Sequence, residues 1–274
     1  MRGSDALDFL HRLTTVNVKN MIPGECKPGL FLTPQGKIIA YFHLAYVDRD
    51  TFAFIVDDNQ KNEWRDSLLK IIDQFTFAEK FILSQEQSFQ CVNLLDKNHE
   101  LDSKFGEKQV LHMQDCYWIN LGNHKYGSPL IKVIGSNIPE SLKSASSMST
   151  EQMTEQRIKN MYPEIDFEIK LDANPLEIGL VDAIASQKGC YPGQEVIEKI
   201  ISLGSPAKRL ALIESKEPLV CGQILKNDAT EQGTITTSSH LYSLALIKKP
   251  ACQIGHTFNN PNAKVIKITP YEPI

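Results

Sequence analysis

Residues 187–199 read QKGCYPGQEVIEK, a glycine-flanked cysteine followed by the start of an amphipathic helix. Gly189 and Gly193 bracket Cys190, so the backbone on either side of the thiol is free to adopt a positive φ or to approach a ligand closely. Pro192 holds the residue before it extended, which delays the start of the helix. The pattern predicts a constrained loop that ends at a helix N-terminus.

Two interpretations of Cys190 follow from this position. The helix begins at Gln194, and its free N–H groups together with Lys188 create a positive field that favours a reactive thiolate, although Glu195 opposes it. Free cysteines are, on the other hand, among the residue types most often buried as small apolar side chains. These residues alone leave both interpretations open.

Length and charge limit the class of protein. The chain has 274 residues, which exceeds the usual single-domain size of roughly 100–150 residues and predicts about two structural units. The net charge is −4 and the basic residues are scattered, so no stable direct binding to nucleic acid is expected. The six cysteines stand far apart without a CxxC pair, which predicts reduced thiols and no metal site.

The lengths of the apolar runs indicate whether the chain enters a membrane. The longest nearly apolar run, residues 38–47, is much shorter than the roughly 20 residues that span a bilayer. Residues 1–11 contain no apolar signal region. We therefore expect a cytoplasmic protein that does not enter a membrane and is monomeric by default.

Hydrophobic periodicity and turn signals predict an α+β chain. Residues 34–37 read PQGK between two β-rich runs and predict a hairpin turn rather than a phosphate-binding loop, because the glycine spacing is wrong for that motif. Helices are predicted at 5–13, from a cap at Asp58 or Asn59 onward, and at 150–161. Further strand-like runs lie at 51–58, 77–84, 88–95, 108–113 and 116–121.

The pattern changes after Gly204. Five strand-like runs follow this residue and predict a small antiparallel barrel or sandwich. The change places the best domain boundary near residues 204–208. We therefore predict two domains, residues 1–204 and residues 205–274, of which the second is a β-barrel.

The segment KGCYPGQE at residues 188–195 resembles the K-G-C-Y-x-G-Q-E signature of the YgfZ-type folate-binding proteins, relatives of the aminomethyltransferase (T-protein) of the glycine cleavage system. Residues 3–18 and 29–42, which read GSDALDFLHRLTTVNV and GLFLTPQGKIIAYF, resemble the opening motifs of the same family. The resemblance spans nearly the full chain. It implies aminomethyltransferase (T-protein)-like folate-binding domains with an antiparallel β-barrel at the C-terminus.

The resemblance also implies a ligand and a role. Tetrahydrofolate is expected to bind non-covalently in a central channel, and Cys190, the candidate catalytic residue, matches the functionally important cysteine of the family. The implied role is to support iron–sulfur cluster assembly or repair, and thereby tRNA modification, with iron–sulfur enzymes or assembly proteins as partners. The candidate folate-binding residues are Asn17, Lys188, Tyr191, Gln194 and Glu195.

Asn17 departs from the family pattern, because the T-protein enzymes carry at the matching position an aspartate that acts at the folate amine. A neutral amide cannot act as a carboxylate base, although it is still able to hydrogen-bond a pterin. Asn17 is alternatively an ordinary polar turn residue. Two alternative functions stay open: a folate-dependent aminomethyl or methyl transferase, and a partner-binding module that has lost folate.

Two smaller departures concern the elements around the motifs. Lys159 and Met161 stand where relatives tend to carry a small residue and an acidic residue, and Lys159 is either a partner for a folate glutamate tail or a solvated helix lysine. Relatives begin with a strand ahead of the first helix, whereas this sequence starts at Met1. Either the start of the sequence is truncated or the first strand is absent, so the sequence does not predict what forms the edge of the first sheet.

Overall fold

The structure is a computed structural model that describes residues 1–57, 62–84, 89–122, 124–143 and 147–272. Within these ranges the strands form three antiparallel sheets. Two sheets and their helices come from the first three quarters of the chain, and the third sheet comes from the last quarter. The predicted α+β character is confirmed.

The first helix, α1 (Ala6–Leu13), forms where the sequence predicts it because its apolar side chains repeat at helical spacing. Phe9, Leu10 and Leu13 are buried on one face and pack against the first sheet. A short 3-10 turn at Val18–Asn20 follows the helix.

The first sheet is a meander of three neighbouring strands, β1 (Cys26–Leu32), β2 (Ile38–Asp48) and β3 (Thr51–Ile55). The predicted hairpin turn at 34–37 is confirmed, with the N–H of Gly36 donating to the carbonyl of Thr33 at 2.9 Å. At the outer edge of the sheet, Arg2 forms an isolated bridge with Thr51 of β3. The segment before α1 therefore lies against this edge.

The next helix, α2 (Glu63–Phe75), packs on β2 through buried residues that include Trp64 and Leu68. Its N-cap is Asn62, and the predicted caps Asp58 and Asn59 lie outside the described residues. With 13 residues α2 is the longest helix in the described part of the chain. No helix there has the length and apolar character that crossing a membrane requires.

The strand predicted at 77–84 is wrong. Ile82 makes only an isolated bridge with Arg2, and no strand ladder forms around it. Phe77 and Ile82 are 86% and 75% exposed. Phe81 and Leu83 still pack against the core beside α1, with the ring centroids of Phe9 and Phe81 4.8 Å apart, but no described strand forms a ladder with this segment.

The second sheet has four strands in the order β4-β7-β6-β5. They are β4 (Gln90–Leu95), β5 (Val110–Met113), β6 (Cys116–Asn120) and β7 (Leu130–Gly135), with short helices α3 (Asp102–Phe105) and α4 (Glu140–Lys143) between and after them. The strand predictions at 88–95, 108–113 and 116–121 are confirmed. The sequence interpretation misses β7, because Lys132 interrupts its apolar pattern; Lys132 is nevertheless only 5% exposed.

Helix α5 (Thr150–Lys159) confirms the helix predicted at 150–161 and begins with a capping box formed by Ser149 and Gln152. Lys159 is exposed and its Nζ lies 2.6 Å from a carboxylate oxygen of Glu155. The interpretation of Lys159 as a solvated helix lysine is therefore confirmed. A 3-10 turn at Val181–Ala183 and helix α6 (Gln194–Ser202) complete this part of the chain.

The third sheet contains six strands in the order β12-β13-β8-β11-β10-β9. They are β8 (Lys208–Ser215), β9 (Ile224–Asn227), β10 (Thr230–Ser239), β11 (Tyr242–Lys248), β12 (Thr257–Asn259) and β13 (Asn262–Ile268). Lys226 of β9 forms an antiparallel bridge with Asn260 beside β12, so the two edges of the sheet meet. The predicted antiparallel barrel is confirmed and is nearly closed, whereas the domain limits 1–204 and 205–274 stay predictions.

Candidate functional site

The loop that contains Cys190 docks on the hairpin turn between β1 and β2. Gly193, the last residue before α6, has a φ of 85°. A Cβ at this position would lie 2.5 Å from the carbonyl oxygen of Thr33 and 3.1 Å from the Cα of Gly36. Only glycine permits both the positive φ and this close approach of two backbones.

Cys190 is exposed, so the interpretation of this residue as a buried apolar side chain is wrong. The neighbouring Tyr191 is buried instead and packs into a core cluster with Leu30 and Ile38. Tyr191 therefore anchors the loop, and the thiol beside it faces outward. A catalytic role for Cys190 stays a prediction.

Lys188 joins the Cys190 loop to the C-terminal end of α1. Its Nζ donates to the carbonyl oxygens of His11 at 2.7 Å and Val16 at 2.9 Å, and also to the carbonyl of Thr14. Burial lowers the pKa of Lys188 to about 7, whereas hydrogen bonds to three carbonyl oxygens favour the charged ammonium. Since an ammonium has three N–H donors, all of them are engaged, and direct contact with a ligand requires one of these bonds to break.

Thr15 aligns the same segment with residues 183–185. Its hydroxyl donates to the carbonyl of Ala183 at 2.5 Å, and its carbonyl accepts from the N–H of Ala185 at 3.0 Å. The hydroxyl also accepts from the N–H of Leu30 in β1 at 2.9 Å. These bonds bring two segments that are far apart in sequence to one place beside β1.

A pocket of about 250 Å³ opens where these segments meet, and we call it the Asn17 pocket. Glu25 and Lys27 at this pocket pair with each other at 3.3 Å. The side chains of Asn17, Asn20 and Asp182 have no hydrogen-bond or ion-pair partner among the described residues. The residues lining the pocket are Val16, Asn17, Asn20, Met21, Glu25, Lys27, Pro28, Asp182 and Ala185.

Two tyrosines within electrostatic reach of Asp182 link β2 to the segment after α5. The hydroxyls of Tyr41 and Tyr162 are 3.1 Å apart. Burial, and after it the neighbouring hydroxyl and the charges of Asp57 and Asp182, raises the pKa of Tyr41 well above its ordinary value. Burial also raises the pKa of Tyr162, so both side chains are neutral phenols at pH 7.

Charged and ionisable groups surround the tyrosine pair. Burial acts to raise the pKa of Asp57, and its buried ion-pair partner Lys132 outweighs that effect, so the pKa of Asp57 lies below its ordinary value. His43 contacts the ring of Tyr41 with centroids 5.6 Å apart, and burial lowers the pKa of His43 to about 4. The imidazole is therefore neutral at pH 7 and is able both to donate and to accept a hydrogen bond.

The structure brings together only part of the predicted set. Asn17 lines the pocket, and Lys188 contacts the carbonyl of the neighbouring pocket residue. Tyr191 lies in the core. The side-chain amide of Gln194 donates to a carboxylate oxygen of Glu198 at 2.6 Å, and Glu195 is exposed on α6. None of these last three lines the Asn17 pocket.

Sequence reasoning misses Asp182, Tyr41 and Tyr162. One signal for Asp182 exists, because it is the single charged residue in the apolar run at 178–185. His43 gives a similar signal, since it interrupts the longest apolar run of the chain. The two tyrosines give none, because their contact joins residues that are 121 positions apart.

A second, larger cavity of about 940 Å³ lies between β3, α2 and the second sheet. Its lining is mostly apolar, with Phe54, Leu68 and Ile119 among the contributing residues. It contains none of the residues that the sequence predicts for the site. The larger cavity is therefore separate from the loop that carries Cys190 and from the segment that carries Asn17.

Known proteins resemble this chain in sequence and in fold. No family model matches it. It is 25% identical over 288 residues to "Putative transferase At1g60990, chloroplastic" from Arabidopsis thaliana, an alignment that covers 93% of this chain and 64% of that protein. The chain thus spans just under two thirds of the length of that relative.

The structural comparison concerns the glycine cleavage system aminomethyltransferase T from Bartonella henselae, known from a crystal structure. The two structures match with a TM-score of 0.80 over 97% of this chain and 81% of that chain. At 13% sequence identity the match establishes the fold alone. The chain therefore has the aminomethyltransferase (T-protein) fold that its sequence predicts.

Proposed function

We propose that this chain is a YgfZ-type protein that binds tetrahydrofolate non-covalently and supports the assembly or repair of iron–sulfur enzymes, and thereby tRNA modification. The Asn17 pocket is the observation that carries the proposal. It lies where the segment around Asn17 meets residues 182–185, just ahead of the KGCYPGQE segment, and three of its polar side chains lack partners among the described residues. Both of the motif-bearing segments resemble folate-binding proteins.

The groups at the pocket fit a folate ring. A pterin presents N–H donors and ring acceptors side by side on one edge. The amides of Asn17 and Asn20 supply both donors and acceptors, and the carboxylate of Asp182 supplies acceptors only. Bound tetrahydrofolate brings one-carbon chemistry to the site, and the residues of the chain hold and orient the ring.

The second candidate function is a folate-dependent aminomethyl or methyl transferase. The carboxylate of Asp182 favours it, because the pocket then contains an acid–base group despite the neutral amide of Asn17. The first proposal, a folate-binding protein, includes iron–sulfur enzymes or assembly proteins as partners. It also includes a cytoplasmic location and a monomeric state. The exposed thiol of Cys190 is the candidate functional group of the first proposal.

Calorimetric titration of the purified chain with tetrahydrofolate, under reducing and oxygen-free conditions, tests the proposed function. We expect saturable binding with a micromolar Kd. At a hundredfold excess over Kd the ligand stabilises the fold by about 2.7 kcal/mol, which raises the Tm by roughly 5 °C for a chain of this size. Absence of binding heat and of a Tm shift at millimolar ligand contradicts the proposal.

A matched pair of variants locates the binding. Asn17→Ala is expected to weaken binding about tenfold, because a hydrogen bond to the ligand is lost. Asn98→Ala removes an exposed amide in the second-sheet region, outside the pocket, and is expected to leave the Kd unchanged. Equal effects of the two substitutions would place the ligand elsewhere.

A further inference from the structure

The side chains on the two sides of Cys190 point inward and meet each other. Tyr191 is 8% exposed and packs into the core, and the Nζ of Lys188 lies 5.1 Å from the centroid of its ring. The thiol of Cys190, by contrast, is exposed. Gly189 and Cys190 therefore form an outward arch in the loop, and the contact between Lys188 and Tyr191 is the base of this arch.

Three carbonyl oxygens surround the ammonium of Lys188. It donates to the carbonyls of His11 at 2.7 Å and Val16 at 2.9 Å, and also to the carbonyl of Thr14. His11 and Thr14 lie at the C-terminal end of α1, where the helix dipole places partial negative charge. A neutral amine has one N–H donor fewer than an ammonium, so one of these carbonyls would then face a lone pair. The arrangement of the three carbonyls therefore favours a charged group at this position.

The backbone segment that binds Lys188 also lines the Asn17 pocket. Val16 and Asn17 are lining residues, and the carbonyl of Val16 is one of the three acceptors of the ammonium. The carbonyl of Thr15 instead accepts from the N–H of Ala185 at 3.0 Å, and Ala185 also lines the pocket. Consecutive carbonyls of this segment thus bind Lys188 and Ala185 alternately. A ligand that displaces the segment therefore changes the hydrogen bonds of Lys188.

We propose that Lys188 is a positioning residue that couples the exposed thiol of Cys190 to the Asn17 pocket. Its ammonium ties the base of the Cys190 loop to the segment that lines the pocket, and all three of its N–H donors are used there. Lys188 therefore acts through the loop and not by contact with the ligand. The inference rests on the proposed folate-binding function and names the residue through which a bound ligand affects the thiol.

The alkylation rate of Cys190, measured with and without tetrahydrofolate in four proteins, tests the coupling. The proteins are the wild type, Lys188→Met, Lys188→Arg and the control Lys199→Met, which removes an exposed ammonium from α6. Calorimetry first gives the Kd of each protein, so that each is saturated with ligand. We expect tetrahydrofolate to slow alkylation about tenfold in the wild type and in Lys199→Met, and less than about twofold in Lys188→Met. Lys188→Arg keeps a charged donor and is expected to recover a slowing of about threefold or more.

Two results for Lys188→Met overturn the positioning role while folate binding by the wild type stays intact. One is a slowing of alkylation as strong as in the wild type. The other is a folded variant that no longer binds tetrahydrofolate, because Lys188 is then a ligand contact. Wild type that binds no tetrahydrofolate overturns the proposed function and the coupling together.

Acylation of the wild-type lysines, followed by peptide mass spectrometry, tests the bonds of Lys188 without any substitution and so decides the case in which Lys188→Met does not fold. Lys188 is expected to react about tenfold more slowly than the exposed Lys199, because all of its N–H donors are engaged. Equal acylation rates of Lys188 and Lys199 overturn the positioning role.

Discussion

Replacing Arg157 by leucine is expected to lower the free energy of unfolding by about 3–5 kcal/mol, because it leaves a buried carboxylate without its cation. Arg157 is 1% exposed and donates to Glu168 at 2.8 Å. The side chain of Glu168 is fully buried and also accepts from the hydroxyls of Thr236 and Thr237 at 2.6 Å each. Urea denaturation monitored by circular dichroism measures the loss.

An exposed arginine provides the control for this substitution. The side chain of Arg49 is 95% exposed, so Arg49→Leu is expected to change the free energy of unfolding by less than about 0.5 kcal/mol. A loss below about 1 kcal/mol for Arg157→Leu would contradict the buried ion pair. The pair matters for the site as well, since Arg157 donates at 2.9 Å to the carbonyl of Tyr162, whose hydroxyl meets Tyr41.

Gly193→Ala is expected to destabilise the fold by roughly 2–3 kcal/mol, which combines the cost of a positive φ with a steric clash. The added Cβ would lie 2.5 Å from the carbonyl oxygen of Thr33. Relief of that clash moves the Cys190 loop away from the hairpin turn. Chemical denaturation measures the destabilisation.

Gly204 separates the two costs, because its φ of 83° nearly equals that of Gly193 and no atom lies within 4 Å of its added Cβ. Gly204→Ala is expected to cost only about 1 kcal/mol, the conformational part alone. The difference between the two substitutions measures the close approach of the loop to Thr33. Equal losses for Gly193→Ala and Gly204→Ala would show that the loop is not docked there.

Local patterns are sufficient to predict most of the secondary structure. The helix α1 is evident because Ala6, Leu7, Leu10 and Leu13 lie close to one helical face. The barrel strands are evident because glycine, asparagine and proline separate short β-rich runs. β7 is not evident from the sequence, because the buried Lys132 breaks its apolar pattern. Lys132 is paired with Asp57, which is remote in sequence, so no local pattern predicts the ion pair. The false strand at 77–84 is the converse case: Phe81 and Leu83 pack against the core, but the segment makes only one isolated bridge, and the local pattern cannot show that a strand partner is missing.

The site is less predictable than the fold because long-range contacts build it. The KGCYPGQE segment identifies the loop. Its docking on Thr33 and on α1 depends on contacts that are remote in sequence, and so the sequence does not show which side chains of the loop are buried. Asp182 lies at the pocket beside residues 183–185, which Thr15 binds across about 170 positions of sequence. Single-sequence motifs thus predict the loop, and the tertiary structure adds the pocket beside it.

The alkylation rate of Cys190, measured by peptide mass spectrometry with and without saturating tetrahydrofolate, tests most directly whether the Cys190 loop and the Asn17 pocket form one folate site. Cys91 and Cys221 are also exposed and serve as internal controls in the same sample. We predict that tetrahydrofolate slows alkylation of Cys190 at least tenfold and leaves Cys91 and Cys221 unaffected. An unchanged rate at Cys190 under saturating ligand would contradict a single site.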